Sequence, residues 1–117
     1  TAASHGASVK IDIHRGEPGV VNDAEMAALI MAGAKASIGA DNALNMPGWS
    51  IADDFAYYSE KRPSVYFRLG IRNEGVGSVY PLHHSRFRID ETALKNGVLT
   101  LVSAATMYLA GQENYGA

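Results

Sequence analysis

Two adjacent histidines, His83 and His84, sit in the stretch Tyr80-Pro81-Leu82-His83-His84-Ser85-Arg86-Phe87. Imidazole can move a proton near neutral pH or give a neutral nitrogen to a metal ion. Neighbouring side chains usually point different ways, so one of the pair can reach a ligand while the other packs or bonds to backbone. Taken alone, such a pair reads as part of a surface loop. Asp12 and His14 lie two apart on the polar face of a predicted strand, a spacing compatible with metal ligation. An alternating strand must put something polar in water in any case. Asp53-Asp54 could act as paired carboxylates, but acidic residues ahead of a helix more simply cap it and complement its dipole. Tyr57, Tyr58 and Tyr66 read as packing residues, and Arg68, Arg72, Arg86 and Arg88 as guanidinium forks able to hold a carboxylate, with nothing to choose among them.

Hydrolysis at a metal centre needs three or more ligands around an open position, and a general base besides. The sequence has no His-x-x-x-His, no Glu-Glu pair, no Gly-x-Ser-x-Gly, no Walker loop and no dinucleotide fingerprint. The residues alone therefore justify only an α/β unit with one histidine loop.

The elements that would position that loop follow from periodicity. Ser8 to His14 alternates strictly, with Val9, Ile11 and Ile13 on one side, and predicts a half-buried strand. Asn22 with Glu25 resembles a capping box, opening a helix over about 23–38 that stops at Gly39. Ser50 and Asp53 offer a second cap before a short helix around 54–58, which Pro63 ends. Ser64 to Arg72, with Val65, Phe67, Leu69 and Ile71 in phase, predicts a buried strand. Asn73 to Ser78 is turn chemistry. Asp90 caps a last helix over about 91–110, with Leu94, Val98, Leu101, Val102, Ala105 and Leu109 as its buried face. Strand, helix, short helix, strand, loop and long helix make an α/β layout.

At 117 residues, 47% hydrophobic and 19% charged, the chain has the composition of one globular domain. Ten basic against twelve acidic residues leave a net charge of -2 without a basic block, which excludes nucleic acid as the default partner. The zero cysteines exclude a disulfide framework or thiolate metal site and fit a cytoplasmic setting. Thr1 to Gly6 has neither a basic nor an apolar leader region, and no apolar run approaches membrane-spanning length, so no membrane partner is expected. The abrupt start, without Met and just ahead of a strand, looks like a cut inside a larger polypeptide.

Five blocks in order carry a resemblance: Val21-Asn22-Asp23, Ala52 to Tyr58, Phe67-Arg68-Leu69-Gly70, Tyr80 to Phe87, and Ile89 to Leu94. Together they resemble the C-terminal part of the M20 metallopeptidases, closest to the amidohydrolase branch of hippurate and N-acyl-L-amino-acid amidohydrolases. The branch's usual Glu-Asp-Phe stands here as Asp53-Asp54-Phe55, and its His-His-Pro-Arg-Phe as His83-His84-Ser85-Arg86-Phe87. The resemblance implies the C-terminal portion of a zinc-peptidase-like catalytic domain over 18–117, with residues 1–17 as the last strand of a lid or dimerisation domain. It also implies a metal-dependent amidohydrolase cleaving a small N-acyl amino acid or peptide, inactive as this piece alone. Two divalent metal ions, zinc, manganese or similar, are implied as cofactors. His83 is carried over as a metal ligand and His84 as its support, with the general base outside this sequence. A homo-oligomer is allowed. The competing reading is a non-catalytic α/β binding or assembly module with a vestigial histidine loop.

Overall fold

Helix α1, Ala24–Ile38, begins where Asp23 adopts an extended backbone (φ -65°, ψ 137°) and its Oδ1 accepts the N–H groups of Glu25 and Met26, both at 3.0 Å. Two of the helix's orphan donors are thereby satisfied, while Glu25 in the first turn and Lys35 in the last complement its dipole. Its end is fixed at Gly39, whose φ of 91° favours a residue without Cβ. The cap is Asp23 rather than the expected Asn22. Asn22 instead clasps the backbone of Tyr66, its Nδ2 donating to the carbonyl at 3.0 Å and its Oδ1 accepting the N–H at 2.7 Å. Beside it, the Asp23 N–H donates to Ser64 O at 2.9 Å.

The computed structural model describes residues 1–14, 16–49 and 52–113. After α1 come a 3-10 turn at Ala40–Asn42, helix α2 at Ala56–Ser59, a second 3-10 turn at Glu74–Val76 and helix α3 at Thr92–Glu113. Ser50, expected to cap α2, lies outside the described residues; Asp53 does cap the turn ahead of it, its Oδ1 accepting the Phe55 N–H at 2.9 Å. At the start of α3, Asp90 Oδ1 accepts from Thr92 N at 3.0 Å and from Thr92 Oγ1 at 2.7 Å.

Helices α1 and α3 pack on each other, most closely where Gly33 of α1 meets Ala104 of α3. Gly33 is buried on α1; Ala93, Gly97, Thr100 and Ala104 are buried on α3. A Cβ at Gly33 would stand 2.8 Å from Ala104 N, so the two backbones approach as closely as they can. This corrects the expected buried face of α3. Leu94, Val98, Leu101, Val102 and Leu109 are exposed, Val98 at 59% and Leu109 at 63%. Apolar periodicity identified a face, but close helix approach selected the small residues beside it, leaving the large ones with nothing above them.

The expected α/β fold is also corrected: no β-strand forms among the described residues. Their one isolated bridge joins Asn73 and Ser78. A strand needs a neighbour to pair its backbone groups as well as an alternating pattern. Ser64 to Arg72 forms no ladder among the described residues: its backbone bonds to Asn22 and Asp23 at Tyr66 and Ser64, and to the Ser78 hydroxyl and the Asp90 N–H at Ile71, while Ile13 in the Ser8 to His14 segment is 80% exposed. The result is an elongated all-α arrangement measuring 67 × 50 × 19 Å with a radius of gyration of 20.7 Å. A compact chain of this length would have a radius of about 13 Å.

Candidate functional site

The histidine loop rests on a small knot of hydrogen bonds over residues 71–90. Asn73 and Ser78 exchange backbone hydrogen bonds at 2.9 Å each, while Asn73 Oδ1 accepts the Gly75 N–H at 2.9 Å. Gly77 closes the turn at φ 72°, and the buried Ser78 hydroxyl lies between the carbonyls of Ile71 and Arg88. Asn73 Nδ2 then donates to Asp90 Oδ2 at 2.7 Å, tying the turn to the start of α3. The hydrogen bond from Asn73, followed by those from the Thr92 side chain and backbone, holds the Asp90 carboxyl below its ordinary range.

Within the loop, His84 stacks on Tyr80, with ring centroids 4.5 Å apart and planes 12° from parallel. The Arg86 guanidinium sits 4.2 Å from the same Tyr80 ring. His84 Nδ1 accepts the Arg86 N–H at 3.1 Å, which assigns the proton of the neutral ring to Nε2. His84 therefore packs and bonds to backbone. His83, exposed, is the only non-glycine residue with positive φ, 67°, among the described residues.

The other predicted site residues are not gathered around it. Asp53 Oδ2 accepts the Tyr66 hydroxyl at 2.8 Å, and Phe55 packs 5.3 Å from the Tyr66 ring and 5.9 Å from that of Tyr58. This hydrogen bond, then burial, then the charges of Asp53 and Asp54, raise the phenol's pKa above its ordinary value. Asp12 pairs with Lys10 at 3.2 Å in the exposed N-terminal segment, and His14 is exposed. Arg68 lies 5.2 Å from the Trp49 ring, Arg72 pairs with Glu74 at 2.9 Å, and Arg88 donates to Val76 O at 3.3 Å. Asp53 and Arg68, Arg72, Arg86 and Arg88 are thus engaged structurally, while Asp54 is exposed.

The donor set does not fit the implied metal pair. Among the described residues, no group of three or more His, Asp or Glu side chains could hold a metal ion. The expectation of two divalent ions is therefore corrected. So are the metal-dependent amidohydrolase reading and its hydrolase and metallopeptidase labels. Amide hydrolysis requires a compact shell converging several groups on one bond, and this elongated helical arrangement without a sheet does not supply one. A cleft of about 560 Å³ between the start of α1 and residues 59–64 contains no histidine and lies apart from the loop's residues. Among the described residues, no helix is long and apolar enough to cross a membrane.

Sequence reasoning missed Asn73, Ser78 and Asn22 as the residues that organise these segments. Asn73 had a signal in the glycines two and four residues after it, which favour an Asx turn. The Asn22 clasp spans 44 positions and left no local trace.

The chain matches Peptidase family M20/M25/M40 over residues 5–107. It is 38% identical over 106 residues to "Probable hydrolase sll0100" of Synechocystis, covering 90% of this chain and 27% of that protein. It is 45% identical over 58 residues to the IAA-amino acid hydrolase ILR1-like 6 of Arabidopsis thaliana, covering 50% of this chain and 12% of that protein. Thermostable carboxypeptidase 2 of Saccharolobus solfataricus is 50% identical over 48 residues, covering 41% of this chain and 12% of that protein. The chain thus spans roughly a quarter or less of these relatives' length. No solved structure matches. The amidohydrolase-branch assignment implied a compact α/β catalytic domain and is corrected by the helical, elongated form, whereas the match over nearly the whole chain establishes the wider kinship. The protein belongs to peptidase family M20/M25/M40.

Proposed function

We propose that this chain is a non-catalytic association module, a packed helix pair that presents an apolar surface for further polypeptide of the same family to cover. The exposed area carries this reading. The chain exposes 9607 Å² to solvent. A compact monomer of its mass would expose about 6,200 Å². The excess, roughly 3,400 Å² on this chain alone, amounts to about 6,800 Å² once a partner's matching surface is counted, the scale of permanent interfaces rather than transient ones. Part of it is the row of exposed apolar side chains along α3 at Leu94, Val98, Leu101, Val102 and Leu109. Family polypeptide is the occupant because the matched segment makes up only 27% of one curated relative and 12% of two others.

The chain divides into an arm, residues 1–17, and a remainder, residues 18–117, whose described part carries helices α1 to α3. In support, every hydrogen bond and ion pair of the described arm residues stays within the arm. The arm's row of Val9, Ile11 and Ile13, exposed at 65%, 75% and 80%, extends the surface to be covered. The cytoplasm is the expected compartment, in keeping with the cysteine-free sequence.

Sedimentation of the chain, alone and mixed with a separately produced family polypeptide covering the remaining length, tests the reading. We expect a one-to-one complex in which the amides of 94–109 gain protection from hydrogen exchange. Val98→Asp should abolish it while leaving the helicity of the free chain unchanged, since Val98 touches solvent there. Absence of a complex, self-association of the free chain that buries the same face, or Val98→Asp complexes of undiminished affinity would each overturn it.

A further inference from the structure

We infer that Tyr80, His84 and Arg86 form a clamp that positions His83, holding residue 83 left-handed with its imidazole exposed. The His84 N–H donates to Pro81 O at 3.2 Å, closing a four-residue turn with His83 in its third place. The turn type with positive φ at that place ordinarily takes glycine. A histidine there at φ 67° persists only where its surroundings over-determine it.

The surroundings do so at three points. The His84 ring stacks on Tyr80, and Arg86 reaches the same ring, so the turn's last residue and one just beyond it both rest on the residue just before it. His84 Nδ1 takes the Arg86 N–H, and the Phe87 N–H donates to His84 O at 2.8 Å, fixing the chain as it leaves. Ser78 and Asn73 anchor the near side of the loop to residue 71 and to α3. His83 itself spends nothing on these contacts. Its backbone is the strained element and its side chain is the free one, which is the division of labour expected of a presented group. Tyr80, His84 and Arg86 are positioning residues, and the inference stands whether or not family polypeptide covers α3.

Nuclear magnetic resonance on the isotope-labelled full chain tests it through the intraresidue amide-to-Hα Overhauser effect of His83, which is strong only when φ is positive. The parent and Tyr80→Phe, which keeps the ring, should show the strong signal. Tyr80→Leu and, separately, His84→Leu should lose it severalfold. The Gly33 to Ala104 contact signals should persist in all four, reporting an intact helix pair. A strong His83 signal in both leucine variants would overturn the clamp, as would equal loss in Tyr80→Phe and Tyr80→Leu, or a weak signal in the parent. Should one leucine variant lose the Gly33 to Ala104 contact, the other decides by the same criterion.

Discussion

Replacing Gly33 by alanine tests the helix pair where it is tightest. The new Cβ would lie 2.8 Å from Ala104 N, 3.1 Å from Ala104 Cα and 3.1 Å from Ala104 Cβ. Two of these three neighbours are backbone and cannot rotate away. Reaching ordinary contact requires α1 and α3 to part by about 0.6 Å, a gap that forfeits roughly a quarter to a half of the dispersion energy along the seam. Overpacking of this kind costs about 1–3 kcal/mol. Alanine's better helix propensity returns about 0.8–1.0 kcal/mol. The net expectation is a loss of up to about 2 kcal/mol, read as a lower midpoint in urea unfolding followed by circular dichroism. Gly97→Ala is the control: its Cβ would meet Leu69 Cδ2 at 3.1 Å, the end of a flexible side chain that can swing aside. That variant should be neutral or slightly stabilised. Adding Ala104→Gly to Gly33→Ala removes only the Cβ contact and should rescue incompletely. A Gly33→Ala chain as stable as parent, or no more affected than Gly97→Ala, would refute the close-approach account.

Asp90 predicts an acid-sensitive start to α3. Its carboxyl is held below the ordinary carboxylate value, so the stabilisation is full above the unfolded pKa of 3.8 and is lost as pH falls through the lower folded value. Asp90→Asn should be less helical than parent at neutral pH, with the difference closing in acid; a pH-independent difference would contradict the assignment. Tyr66 predicts the opposite limit. Its phenol pKa is raised, so the bond to Asp53 contributes fully below the unfolded value of 10.0 and fades as pH climbs through the folded one. Tyr66→Phe should remove a late-ionising phenol from an ultraviolet alkaline titration; an unchanged late phase would place that phenol elsewhere.

The helices were legible because their signals are local. Asp23, Glu25 and Gly39 bracket α1 within one or two residues of where it forms, and Asp90 stands at the threshold of α3. The start of α1 was read one residue early because Asn22 and Asp23 can both cap, and only a residue 44 positions away decides between them. The strands failed for the same reason. Alternation at Val9, Ile11 and Ile13 describes a face, whereas a strand is a relation between two chains of backbone, and no partner for that segment is present among the described residues. On α3 the large apolar residues were conspicuous, but the buried positions are Ala93, Gly97, Thr100 and Ala104, residues too small to dominate any periodicity. At the loop, the histidines were visible and their division was not. The stacking partner Tyr80 and the backbone bond to Arg86 are what separate His84 from His83.

The clasp of Asn22 on Tyr66 has a chemical corollary. A carboxamide is the one neutral side chain that presents a donor and an acceptor side by side, as a peptide unit does. Hydrolysis of that amide to a carboxylate would leave two acceptors facing one N–H and one carbonyl. Half the grip would survive, the other half would become repulsive, and spontaneous ageing of a single asparagine would be enough to unfasten residue 66 from the threshold of the first helix.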